Sequence, residues 1–198
     1  MCGIAGIYNL NGEPASPALL RRMTEAIAHR GPDGEGFYTD GALGLGHRRL
    51  AIIDLSPLAH QPMMTADGRW VIAYNGETYN FQELRLELEA QGCQFRSRSD
   101  TEALLYAFQV WGLSALNRFN GMFAFALWDR QNGELILGRD RYGIKPLYYT
   151  LQGATLLFAS EVKAILAHPA CRVELDQEAL LEYFTFQNLF TDRTPVSY

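Results

Sequence analysis

The sequence predicts an α+β domain in which two mainly antiparallel sheets pack face to face and helices cover the outside. Three observations carry this. Short β-rich runs recur along the chain, at Trp70 to Tyr74, Met122 to Trp128, Leu135 to Leu137, Leu147 to Leu151 and Thr155 to Ala159, too many for a helical protein and too short for one long ribbon. Asn132-Gly133 and Gln152-Gly153 join successive runs as hairpins, so the connectivity is antiparallel rather than a regular βαβ alternation. Between the runs lie amphipathic segments with their own start and stop signals, which places helices outside the sheets.

Taken in order, Cys2 to Tyr8 mixes β-branched and small residues and reads as a strand packed closely by another layer. Ser16-Pro17 offers an N-cap with proline at the first helical position, and Leu19, Leu20, Met23 and Ile27 form the apolar stripe of a helix ending near Arg30-Gly31-Pro32. Leu50 to Ile53 reads as a strand. Asn80 with Glu83 suggests a capping box for a helix that carries Leu84 and Leu88 and stops at Gly92. Asp100 is placed as the cap of a helix from Thr101 to Trp111 with Gly112 beyond it. Asp176 to Phe186 forms one more amphipathic helix.

The 198 residues suit one domain, and 48% hydrophobic with 20% charged residues is ordinary globular usage. A net charge of −5 with no basic run longer than two residues offers no stripe for a phosphate backbone, so nucleic acid is not the expected partner. The three cysteines, Cys2, Cys93 and Cys171, cannot all pair and lack metal-site spacing, so no metal is expected and a reducing compartment is. The longest apolar run, Met122 to Trp128, is far short of a membrane span. No signal-peptide pattern opens the chain, and the expected location is the cytoplasm.

Cys2 carries the first chemical signal. If Met1 is removed, one residue holds both a thiol, of reference pKa about 8.5, and an α-amine near 8. The amine can then take the thiol proton and later return it to a leaving amine, with no histidine required. Taken alone, a cysteine at this position is more often incidental. Asn75-Gly76 follows a strand, where a side-chain NH₂ and a backbone N–H could converge on one oxygen as an oxyanion hole. Locally a simple Asn-Gly turn is the favoured reading, but Glu77 to Asn80 leads into a helix start rather than a partner strand. Arg49 and Asp100 are candidates for an amino-acid clamp, a bidentate cation and an anion for an α-carboxylate and an α-ammonium group.

Seven segments together resemble a family. Met1 to Gly6, His29 to Asp33, Gly46 to Asp54, Tyr74 to Glu77, Ser99 to Glu102, Gly121 to Ala126 and Gly138 to Tyr149 look like the class II glutamine amidotransferase domain, in order and at family spacing. They are most similar to the N-terminal half of glutamine-hydrolysing asparagine synthetases. The resemblance implies the N-terminal-nucleophile fold, a four-layer αββα sandwich. It implies Cys2 as nucleophile, with a thioester intermediate, and Asn75 with Gly76 as oxyanion hole. Arg49 would meet the glutamine α-carboxylate, Asp100 and Glu77 its α-amine, and the segment through Leu50, Ile52 and Ile53 would form a pocket wall. The motif Gly138 to Tyr149 reads as structural support with Asp140 and Arg141 paired. Thr78 stands where the family usually has isoleucine, a packing change, and Arg48 where a Glu or another polar residue is common.

The glutaminase domain is placed at 1–165 and the start of a connection to a further domain at 166–198. No phosphate-cradling GxxxxGKS/T or SGGxDS loop occurs. The glutaminase part itself needs no cofactor, whereas ATP and Mg²⁺ belong to an absent synthetase domain. L-Glutamine and that domain are the expected partners, and a homodimer is left open. Rival readings are another amidotransferase branch with a different ammonia acceptor, a catalytically silent interaction domain, and a peptide-bond hydrolase of the same fold.

Overall fold

A computed structural model describes residues 1–172, 174–188, 190 and 196–197. Two antiparallel sheets form the centre. The first contains β1 (Gly3–Asn9), β2 (Gly34–Asp40), β3 (Leu43–Arg49), β8 (Tyr148–Gln152) and β9 (Thr155–Ala159), in the order β2-β3-β1-β9-β8. The second contains β4 (Met63–Met64), β5 (Trp70–Thr78), β6 (Gly121–Asp129) and β7 (Glu134–Arg139), in that order. A small pair, β10 (Glu174–Leu175) and β11 (Val196–Ser197), lies apart from them.

Alternation of side chains along the strands separates three apolar layers. Ile4, Leu43, Leu45, Val71, Ala73, Ala126, Trp128 and Phe158 meet between the two sheets. The opposite face of the first sheet, through Ala5, Ile7, Leu157 and Ala159, packs with Leu20, Met23, Ala164 and Ile165, which belong to α1 (Pro17–Glu25) and α4 (Val162–Leu166). The outer face of the second sheet, through Ile72, Tyr74, Phe125 and Leu127, packs with Leu88, Leu104, Leu105 and Phe108 of α2 (Phe81–Ala90) and α3 (Asp100–Trp111). The expected helix–sheet–sheet–helix sandwich is therefore present.

Some local expectations hold. Ser16 accepts from Leu19 N–H with Pro17 behind it, and Gly133 and Gly153 take φ of 64° and 60° in the two hairpins, where glycine has no Cβ penalty. α5 (Gln177–Phe186) starts at the Asp176 cap.

Others are corrected. Leu50 to Ile53 is not a strand, because its donors have other partners: Leu50 N–H faces Cys2 Sγ at 3.4 Å and Ala51 N–H bonds the Asp33 carboxylate at 2.9 Å. The strand is the preceding β3, whose Gly44 and Gly46 hid it. Their bare faces admit α1, since a Cβ on Gly46 would lie 2.1 Å from Thr24 Oγ1. Ser99, not Asp100, caps α3, accepting from Thr101 N–H at 3.1 Å. Asn80 makes no capping bond and instead ties Arg118 O and Asn120 N–H. Asp140 does not pair with Arg141. Its carboxylate accepts from the backbone N–H groups of Phe123, Tyr142, Ile144 and Lys145; burial alone would raise its pKa, and these four donors override that and lower it.

Candidate active site

At one end of the sandwich the two sheets part around a cavity of about 240 Å³. Alternation brings Cys2, at the head of the central strand β1, onto the same inter-sheet face as Ile4, and Arg49 at the end of β3 onto the face of Leu45. Asn75 on β5 shares the face of Val71 and Ala73. All of the residues singled out above, Cys2, Arg49, Leu50, Ile52, Ile53, Asn75, Gly76, Glu77 and Asp100, line this single cavity. Asn75-Gly76 is not a turn, because both residues lie inside β5, opposite Ala124 and Phe123.

The Cys2 thiol is held at backbone atoms of Leu50, donating to its carbonyl at 3.6 Å and facing its N–H at 3.4 Å. Burial raises the thiol pKa, while Leu50, the chain's N-terminal charge and Arg49 pull it down and Asp100 pushes it up; the net direction is upward. The resting sulfur is therefore protonated at neutral pH, and nucleophilic use requires a base beside it. In this chain Cys2 N is the amide that follows Met1. The Cys2 carbonyl accepts from Arg30 Nε at 2.8 Å, and Arg30 is itself fixed by Glu161 at 2.9 Å. Burial of Glu161 opposes its ionisation, but Arg30, Lys163 and His29 outweigh this and bring its pKa down to about 2.

Asn75 is 1% exposed, and its Nδ2 finds no hydrogen-bond partner. A buried amide donor left unpaired costs roughly 1–3 kcal/mol, which is tolerated where a ligand oxygen will complete it. The Gly76 N–H points to the same space. Phe123, opposite Gly76, donates to the Asp140 carboxylate and accepts from Asp140 N–H. Gly76 and Phe123 thus form a non-hydrogen-bonded pair, and the Gly76 N–H faces away from β6. On that side β4 reaches only Val71 and Ile72. Beyond it, side chains stand in for the missing strand: Gln61 accepts from Tyr74 N–H at 2.6 Å, His47 Nε2 meets Tyr74 O at 3.1 Å, and Asp100 accepts from Thr78 N–H at 3.0 Å. The gap between them falls at Gly76. His47 is neutral, its pKa taken down to about 4 by burial, so Nε2 carries the donated proton.

Arg49, also in the cavity lining and 7% exposed, donates through Nη2 to the Asp54 carbonyl, and a planar guanidinium is able to meet a carboxylate two-pronged. Asp100 accepts from Tyr74 Oη at 3.2 Å, Thr78 N–H and Thr101 N–H. Burial raises its pKa and outweighs these three donors. Glu77 is exposed at the rim. Ile52, 72% exposed, and Ile53 form the outer wall.

A family model described as a glutamine amidotransferase domain matches residues 1–197. The chain belongs to this family. The amidotransferase domain is 41% identical over 198 residues to asparagine synthetase [glutamine-hydrolyzing] 3 of Bacillus subtilis, covering 98% of the chain and 32% of that protein. It is 41% identical over 179 residues to amidase chry2 of Gibberella zeae, covering 84% and 26%. The chain thus spans about a third or less of the length of these curated relatives. Among solved structures, the B. subtilis glutamine phosphoribosylpyrophosphate amidotransferase superposes with a TM-score of 0.72 at 24% identity, over 84% of this chain and 43% of that one, a likeness of fold.

Several residues of the amidotransferase site had no role assigned from sequence. Asp33 and Asp54 lock the pocket wall, Asp33 through Ala51 N–H and Asp54 through Arg98 N–H at 2.7 Å. Arg30 holds the Cys2 carbonyl. All three lie in segments whose pattern was visible, but only the fold shows what their side chains reach. Thr78, expected as packing, is fully buried and pairs its hydroxyl with Tyr74 Oη at 3.0 Å. Arg48 pairs with Glu35 at 2.9 Å. No grouping of His, Cys, Asp and Glu suited to a metal ion occurs among the described residues, and no described helix is long and apolar enough to cross a membrane.

Arg49→Lys tests the clamp. A lysine keeps the charge and loses the fork, so the KM for glutamine should rise roughly tenfold to a hundredfold, the scale of one hydrogen bond to a charged group. Alkylation of Cys2 by a small reagent should proceed at the wild-type rate. Equal losses in both assays would assign Arg49 to the fold.

Proposed function

We propose that this domain hydrolyses the side-chain amide of L-glutamine to glutamate and ammonia. The observation that carries the reading is the buried, unpartnered Nδ2 of Asn75 beside the open Gly76 N–H, both in the cavity that Cys2 enters. In the reaction, removal of Met1 frees the Cys2 amine. The neutral amine takes the Sγ proton, and sulfur attacks the amide carbon, whose oxygen takes up negative charge toward Asn75 and Gly76. The carbon–nitrogen bond breaks as the amine returns the proton, ammonia leaves, and a thioester remains. Water, deprotonated by the same amine, then cleaves the thioester to glutamate and free thiol. Arg49 and Asp100 hold the two charges of the substrate's amino-acid end, with Glu77 at the rim.

An electrophilic glutamine analogue is the direct test. It should add one covalent mass at Cys2 and none at Cys93 or Cys171. Labelling at either of the latter with Cys2 untouched would falsify the assignment. The raised pKa of Asp100 adds a pH signature. Only the carboxylate binds an ammonium group, so the KM for glutamine, measured across pH, should rise as pH falls through a value above the ordinary range near 4.

The relatives' names support one reading of where the ammonia goes. The Bacillus protein is an asparagine synthetase three times as long as the match, and we assign residues 1–165 to the glutaminase and 166–198 to the connection with a synthetase-type domain. ATP and Mg²⁺ belong to that further domain, since the sequence here has no phosphate loop. The 198 residues alone should release free ammonia and form no asparagine from aspartate and ATP.

A further inference from the structure

We propose that Gln61 is a positioning residue that sets the length of the substrate the cavity accepts, an inference resting on the glutaminase reading. The two ends of the cavity stand on different elements. The oxyanion donors Asn75 and Gly76 sit on β5, and the ammonium partner Asp100 opens α3. Gln61, 8% exposed, bridges them with both ends of one carboxamide. Its Oε1 accepts from Tyr74 N–H on β5 at 2.6 Å, one residue before Asn75, and its Nε2 donates to Thr101 Oγ1 on α3 at 3.2 Å, one residue after Asp100. The backbone of Gln61 is pinned in turn to the other sheet: it lies over Gly36 of β2, where a Cβ would come within 1.9 Å of its carbonyl oxygen.

A short, planar, two-ended side chain is a rigid spacer. Together with the two bonds that Asp100 itself accepts from β5, from Thr78 N–H and Tyr74 Oη, it fixes how far the oxyanion hole lies from the head-group clamp, and that distance separates glutamine from asparagine, whose amide sits one methylene closer to its α-carbon. Discrimination by one methylene is worth about 10- to 200-fold where the pocket does not adjust. Loosening the spacer should lower the rate for glutamine and relax the selection.

The experiment compares Gln61→Met, Gln61→Glu and Thr101→Val with wild type, using glutamine and asparagine as substrates, melting temperature, and alkylation of Cys2 by a small reagent. Met fills the same volume with neither bond. For Gln61→Met the kcat/KM for glutamine should fall about a hundredfold, the scale of a misplacement near 1 Å, and the glutamine-to-asparagine ratio should drop toward unity. Cys2 alkylation should be unchanged. Gln61→Glu keeps both bonds, because its carboxylate accepts from Tyr74 N–H and from the Thr101 hydroxyl, so it should hold the glutamine-to-asparagine ratio nearer to wild type than methionine does, a rescue that simple space-filling does not give. Thr101→Val cuts the α3 end alone and should raise KM more than it lowers kcat.

Gln61→Met with the wild-type substrate ratio overturns the proposal, as does loss of stability and activity in step with no change in that ratio. If Gln61→Met does not fold, Thr101→Val decides: a wild-type KM for glutamine together with a wild-type substrate ratio overturns it. A wild-type domain that hydrolyses no glutamine overturns the glutaminase reading and this inference with it, whereas an active wild type with unaffected variants overturns this inference alone.

Discussion

Replacing Cys2 by alanine is expected to abolish glutamine hydrolysis and leave the domain folded. Among the described residues the sulfur's hydrogen bonds run to the backbone of Leu50, at 3.4 and 3.6 Å, and sulfur is a weak donor and acceptor, so little stability goes with it. β1 stays held by β3 and β9 on either side, and Ile4 by Ser160. Among the described residues no second cysteine lines the cavity: Cys93 and Cys171 lie outside it. Cys2→Ser should be nearly as inactive, because a hydroxyl is a far weaker acid than the raised thiol for the same amine. Melting temperature and ammonia release, measured together on each variant, check this. Substantial hydrolysis by Cys2→Ala would remove the nucleophile from the mechanism.

Asn75→Ala should lower kcat by two to three orders of magnitude, the usual scale for one oxyanion-hole donor, with a smaller change in KM. Its stability should respond in the unusual direction. Removing a buried side chain normally destabilises, but here the lost Nδ2 has no partner in the resting site, and its desolvation cost disappears with it. Melting should be unchanged or slightly raised. Asn75→Asp sharpens the point: nearly the same shape with a negative charge aimed at the developing oxyanion should be slower than alanine. Were the aspartate variant to match wild type, charge would not develop at this place.

Cys2, Arg49, Asp100, Asn75 and Gly76 could be named as candidates from the sequence because each lies in a segment whose pattern the family resemblance supplies. Their convergence could not. Cys2, Arg49, Asn75 and Asp100 are far apart along the chain, and only strand alternation across two facing sheets brings three of them to one end. The misread elements have physical causes. Leu50 to Ile53 is rich in β-branched residues, yet Asp33 and Cys2 claim its first donors, and side-chain competition of this kind is invisible to propensity. β3 was hidden because glycine normally weakens strands, whereas here Gly44 and Gly46 make room for α1. Gln61 has no local signal at all; a glutamine before a proline means nothing until both ends of its amide are seen to be occupied.

The shortness of β4 has a further consequence. An unpaired sheet edge ordinarily invites any extended chain to add itself. On β5 the invitation is narrowed to a single opening, because Gln61, His47 and Asp100 already occupy the positions that a neighbouring strand would use on either side. What remains open between them is the single position of Gly76. A glutamine side chain ends in one amide group, so the domain would receive its substrate as the sheet would receive one link of a missing strand. Lengthening β4 by a few residues would mend the sheet and close the enzyme.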